Sequence, residues 1–369
     1  MEGDSTPMDV LNLIEGCKRK LTDQEYKNIV DGLMCIHNRT KKTSAPEIEA
    51  FALPMYIAAT WGHILCLKVL LEAGADSDKA VQGGQTPTFI AAGWGRTDCL
   101  RVLLEAGADM DKANDGGVAP AHIAAQNGHA DCLRVLLEAG ADKNKVSQTG
   151  TTPMYIAAQE GRTACLRVLL DAGADINKPA HKGETPAYVA AYQGYTEGLQ
   201  LLLDAGADKE KAMDGGWTPV HIAASKGQAE CLRVLLEAGA DKDKAMYGGR
   251  TPAFVAAYNG HDMCLRVLID AGVDKDKAQQ DGKTPAYTAA YQGYAKCLRV
   301  LIEGGADKDK AMQGGWTPVH IAAHNGHDMC LQVLLEAGAD KRKADEAGAT
   351  PIFFAAREGH VECLRLLQG

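Results

Sequence analysis

Aromatic side chains are only 5% of this 369-residue chain, so stacked rings cannot supply its core. Ala, Leu, Ile and Val must do so. Hydrophobic residues reach 46%, too many for a disordered chain. No apolar run approaches the roughly 18 to 20 residues that span a bilayer, so no membrane partner is expected. The first thirty residues carry Asp4, Asp9, Glu15 and Asp23 and no signal-peptide core. Excess positive charge is missing too. Lys plus Arg is 39 against 48 Asp plus Glu, a net of −9, which argues against nucleic acid as a partner. Nor is there a G-x-G-x-x-G after a strand, a G-x-x-x-x-G-K-[ST] or an H-E-x-x-H.

What the chain does have is a repeat. Pro54, Pro87, Pro120, Pro153, Pro186, Pro219, Pro252, Pro285, Pro318 and Pro351 follow one another at steps of 33 residues, with no insertion or deletion. Length alone suggests two or three domains; the repeat replaces that with one body of ten units. Catalysis needs unlike residues gathered at one place, whereas a repeat spreads like residues evenly. No enzyme activity, cofactor or metal is expected.

Local physics shapes the unit. In Thr86-Pro87 the Thr caps a helix and the Pro suits its first position, where no N–H is needed. A short helix follows through Ile90, Ala91 and Ala92, and Gly95 ends it. Cys99, Leu100, Val102, Leu103 and Leu104 then recur at helical spacing, and Gly107 stops this second, longer helix. Ala108 to Gly117 is polar and turn-rich and predicts a projecting hairpin. One such unit cannot bury its apolar face; stacked neighbours can. Unequal helix layers should curve the stack, with short helices and hairpins on the concave side, over a length on the order of 100 Å at ~10 Å per packed helix.

With Thr218-Pro219-Val220-His221-Ile222-Ala223-Ala224, Gly326-His327 and Gly239-Ala240-Asp241 in this register, the ladder resembles the ankyrin repeat family. The resemblance runs from about Phe51 to Gly369. It implies an all-α ankyrin-repeat solenoid, a right-handed stack of helix-turn-helix-hairpin units. Residues 1–46 are expected to form a helical N-terminal cap and linker, and residues 47–369 the ten repeats. At the other end Leu364, Leu366 and Leu367 lack a polar cap, which predicts either a badly capped end or a chain continuing beyond Gly369. The family's His after Thr-Pro-x survives at His122, His221 and His320 only; elsewhere Tyr or Phe stands there, so its hydrogen bonds must be rearranged or lost.

Those three His are 99 residues apart, and a three-repeat period is strong late in the chain. Tyr192 and Trp217 return as Tyr291 and Trp316. Duplication of a three-repeat block explains this; two related binding surfaces roughly 30 Å apart would be its functional reading.

Nine of the 11 Cys hold one repeat position, from Cys66 to Cys363. Packed helices lie ~8–10 Å apart and a disulfide needs Cα atoms within about 7 Å, so these read as core thiols. They point to a reducing compartment, the cytoplasm before the nucleus. His63, His129, His261, His327 and His360 read as local hydrogen bonding and turn packing, not as metal ligands. The Lys row from Lys79 to Lys343, flanked by acids, reads as a solvated edge, or as a guide for an acidic segment. Arg134 and Arg233 are expected to pair with Glu138 and Glu237 at i,i+4.

The resemblance implies a scaffold or adaptor that holds a protein or peptide partner in the concave groove and at the hairpin tips. Family alignment marks the groove after Ala-Ala at Trp61, Trp94, Tyr192, Tyr258, Tyr291 and His324. Just before Thr-Pro it marks Trp217, Arg250, Lys283 and Trp316. Aromatics and Arg favour interface hot spots. The competing view is that Trp217 and Trp316 pack over the neighbouring hairpin, and Tyr192 and Tyr291 over the next helix. A spacer or self-associating element is the alternative function.

Overall fold

The computed structural model describes residues 52–369. The expected cap and linker of residues 1–46, with Cys17 and Cys35, lie outside the described residues. The chain divides into two compact units, Met1–His181 and Lys182–Gly369. Four repeats fall in the first and six in the second. Among the described residues the fold is all-α: ten helix pairs, one short 3-10 turn at Tyr247–Gly249 and one isolated bridge between Val81 and Gln85.

Pro252–Asn259 shows how each pair begins. Thr251 is extended, Pro252 takes the first helical position, and the Phe254 N–H donates to Thr251 Oγ1 at 3.2 Å. Gly260, at φ 79°, ends the helix in the left-handed region. Asp262–Asp270 follows as the second helix. The expected inequality is small: second helices run eight or nine residues against seven to ten for the first.

Where His replaces Phe or Tyr, the cap reverses. The Thr317 N–H and hydroxyl both meet His320 Nδ1, at 3.2 and 2.8 Å. His320 Nε2 then donates to the Ala349 carbonyl of the next repeat at 3.3 Å. Nδ1 accepts and Nε2 donates, which fixes the tautomer. His122 makes the same pair with the Ala119 N–H and the Thr151 carbonyl, although Ala119 has no hydroxyl. In five Phe and Tyr repeats the hydroxyl of Thr86, Thr152, Thr185, Thr251 or Thr284 caps the helix itself, so the lost His bonds are replaced locally; Thr350 makes no such cap.

The core runs between helix pairs. Ala91, Ala92, Leu100 and Leu103 are fully buried, and their counterparts are buried in every described repeat but the last, where Ala356 is exposed and Leu364 half-buried. Nine described Cys are buried, and none of them is in a disulfide. Burial pushes the Cys165 thiol up to about 11 and the Cys264 thiol up to about 12.

The repeats are also tied by polar bonds at fixed offsets. His261, His327 and His360 are not local turn packing: each Nε2 reaches a carbonyl 36 residues back, on Ser225, Tyr291 and His324. Arg96 and Arg162 make the same bond to Thr60 and Gln126. The His360 ring lies over Gly326, where a Cβ would come within 2.6 Å of Nδ1. Gly326 also has φ 71°, so glycine is required there twice over.

The projecting segments are turns rather than strands. Met213 N–H donates to the Trp217 carbonyl and Gly216 N–H to the Met213 carbonyl. Six of the tips bond the one before them, as Tyr247 N–H does Gly215 O. The Asp-Lys row is a ladder rather than a free edge. The Asp274 N–H donates to Asp243 Oδ1 and Lys277 Nζ to the Asp243 carbonyl, at 2.9 and 2.7 Å. Lys112, Lys178, Lys244, Lys310 and Lys343 donate likewise, so these amines are not free to guide a partner. On the outer helices Arg134 and Arg233 turn to Asp131 and Glu230 at i−3, not to the glutamates at i+4.

Two outcomes follow. Thr251→Ala should cost about 1 kcal/mol through the lost cap, measured as a lower urea midpoint. A thiol reagent at pH 8 should leave the nine buried Cys unmodified in the folded protein and reach all 11 in denaturant.

Candidate functional site

The ten expected groove residues are shared between the two units, two in the first and eight in the second. Trp61 and Trp94 belong to the first unit. They stand two places after Ala-Ala, whereas Tyr192, Tyr258, Tyr291 and His324 stand one place after. One helical residue is a rotation of about 100°, so the two sets occupy different rows. Trp61 is the last residue of Ala52–Trp61, and Trp94 caps Pro87–Gly93. Both are exposed, Trp94 at 57%.

In the second unit Tyr192, Tyr258 and Tyr291 are exposed, Tyr258 at 51%. Lys226 Nζ sits 4.7 Å from the Tyr192 ring centroid, a cation–π contact. Lys283 is half-buried and paired with Asp281 at 2.8 Å. Trp217, Trp316 and His324 are half-buried, and Arg250 is exposed.

Trp217, Arg250 and Tyr258 do come together. With Ser225, Phe254, Val255 and Asn259 they line a depression of about 140 Å³. Its floor is set by two adjacent repeats. Trp217 closes one turn and precedes Pro219–Lys226, which carries Ser225. Arg250 closes the next turn and precedes Pro252–Asn259, which carries the other four. Phe254 and Tyr258, one helical turn apart, stack with centroids 6.4 Å apart. Asn259 Nδ2 turns back to the Val255 carbonyl at 2.8 Å. No carboxylate lines the depression.

The site three repeats later is closed. Trp316 packs on Phe354 with centroids 4.4 Å apart and on His324 at 5.3 Å. Arg357 lies 5.1 Å from the Phe354 ring, and His324 Nδ1 is 3.6 Å from Glu358 Oε1. The counterparts of Phe354 and His324 are Val255 and Ser225, 99 residues earlier. The smaller pair leaves room at Trp217; the larger pair fills the room at Trp316. The two late surfaces are therefore unequal, and packing over a neighbour describes Trp316 well. Sequence reading picked out three of the seven lining residues. Ser225 and Val255 were legible only by comparing the blocks position by position.

His221 packs edge-on to Trp217 with centroids 6.4 Å apart. Burial, above all, holds its pKa down at about 4, so the ring is neutral at pH 7. An unfolded chain would protonate it near 6.5. Between those values the unfolded state binds more protons, so stability falls as pH drops from about 6.5 toward 4, by up to ~1.4 kcal/mol per pH unit. His221→Tyr, the residue used at Tyr188 and Tyr287, should flatten that slope in urea titrations at pH 7, 6 and 5. Equal slopes would remove His221 as the source.

Among the described residues no helix is long and apolar enough to cross a membrane, and no group of three or more His, Cys, Asp or Glu could hold a metal ion. A family profile described as ankyrin repeats (3 copies) matches residues 21–115, 107–180, 173–246, 242–312 and 305–369. The first match begins inside the segment read as cap and linker. Comparison with curated protein sequences finds no match.

Proposed function

The chain belongs to the ankyrin repeat family, a fold that serves as a non-catalytic protein–protein interaction scaffold, and we propose that it holds a protein partner on the face carrying the Pro-started helices and turn tips of its second unit. The observation that supports this reading is the exposure of Tyr192, Tyr258 and Tyr291 at one position of successive or alternate repeats, beside the depression under Trp217 and Arg250. Packing within the stack does not require an aromatic there, since Gln126 and Gln159 serve at the same position in the first unit. Rigid aromatics and Arg bury much area for little lost flexibility.

Trp61 and Trp94 would form a separate contact on the first unit. Lys283, Trp316 and His324 contribute to the same second-unit face, with Trp316 and His324 as packed supports. Nine buried Cys outside any disulfide support an intracellular, reducing setting. The net charge of −9 and the engaged Lys ladder favour a protein over a nucleic acid as partner.

Tyr258 and Arg250 are exposed, so replacing both with Ala should leave the fold intact, unlike removal of Trp316. A recovered partner should bind the double variant at least roughly thirty-fold more weakly, the loss of one hot spot of about 2 kcal/mol. Unchanged affinity would reject this face. Light scattering of both proteins separates the alternative: twice the monomer mass, falling on substitution, assigns the face to self-association.

A further inference from the structure

The chain contains its own picture of what the open site would hold. At Trp316 the neighbouring repeat supplies Phe354, whose ring lies 4.4 Å from the indole by centroids. At Trp217 the equivalent residue is Val255, and about 140 Å³ stands empty. A closed cavity of about 150 Å³ holds a benzene ring. The depression is large enough to take one phenyl group.

Charge narrows the occupant further. Arg250 stands where the closed site has Ala349. It is the sole charged residue lining the depression, and no carboxylate pairs with its guanidinium among the described residues. Lys226, next to Ser225, adds a second cation on the Tyr192 side. An aromatic ring entering against Trp217 would bring a neighbouring carboxylate within reach of Arg250, where a charge-assisted bond can form.

Resting on the groove reading above, we propose that the depression at Trp217 is a receptor for a single aromatic side chain of a partner protein segment, with an adjacent Asp or Glu taken by Arg250. The partner's ring does for Trp217 what Phe354 does for Trp316. One repeat interface is thereby completed from outside, while the next copy is completed from within.

The test uses the full chain and an array of 12-residue peptides. Each has Phe or Ala at the centre and Glu, Ser or Lys on either side of it. Wild type should bind the Phe–Glu peptides at least tenfold more strongly than their Ala counterparts and should disfavour Lys. Val255→Phe rebuilds the closed site and should abolish the Phe preference; Ser225→His fills the space from the other helix, should Val255→Phe fail to fold. Arg250→Ala should keep the preference for Phe and lose the preference for Glu.

Equal binding of Phe and Ala peptides, or equal binding by wild type and the filled variants, would overturn the proposal. If bound peptides then depend on Tyr192 or Tyr291 instead, the groove reading survives and only the receptor falls. If binding is indifferent to every substitution on this face, both fall. A dimer that Val255→Phe converts to monomer would give the pocket to a second copy of the chain, which also overturns it.

Discussion

A two-helix unit of 33 residues cannot bury its own apolar face, and everything else in this protein follows from that shortage. Burial has to be borrowed from the next unit, so the units must meet in one register. The polar bonds that cross between repeats enforce this. Ladder N–H groups reach back 31 residues to a side-chain oxygen, lysine amines 34 residues to a carbonyl, and His or Arg side chains 36 residues to the end of a first helix. A single inserted residue would put all three out of step at once. The unbroken spacing of ten prolines is the trace of that constraint.

Freedom then remains only where no neighbour has a claim. The side chain one place after Ala-Ala is in such a position, because the next repeat's His or Arg takes only the backbone carbonyl there. It is Gln126 in one repeat, Tyr258 in another and Arg357 in a third, with no change in the helices beneath. The residue before Thr-Pro is another, occupied by Thr151, Trp217, Arg250, Lys283 and Ala349. Both positions lie beside the joint between repeats. Chemistry placed there is held by two rigid helices, which is why a depression can form without a mobile loop.

The fold was legible because its signals are local and repeated ten times. Thr-Pro starts, Gly stops and apolar spacing all reflect contacts within a few residues. What the sequence hid were contacts between repeats. His360 looks like a turn residue until its ring is seen over Gly326 of the preceding repeat. Lys277 looks like a solvated charge until its amine is found on the Asp243 carbonyl. Arg134 looks bound to Glu138, yet it pairs with Asp131 one turn earlier, at 3.0 Å. The site was partly legible for the same reason. Large aromatics announce themselves one by one. An empty volume does not, because it depends on the small size of Ser225 and Val255, and small residues carry no signal of their own.

The two Trp sites show how cheaply such a stack changes its surface. Trp217 and Trp316 share a position, a preceding turn bond from Met213 or Met312, and an underlying His at 221 or 320. They differ in what stands on either side. Val against Phe and Ser against His convert a filled joint into an open one. The inter-repeat bond at the Ser or His position goes to its backbone carbonyl, which accepts from His261 at the open site and from His360 at the closed one, so exchanging the side chains leaves the register untouched. Repetition thus separates two demands that compete in a single-core domain. The buried Ala, Leu and Cys positions and the polar ladder hold the stack together, while a pair of side chains at one joint decides whether a Trp ends as packing or as a place to bind.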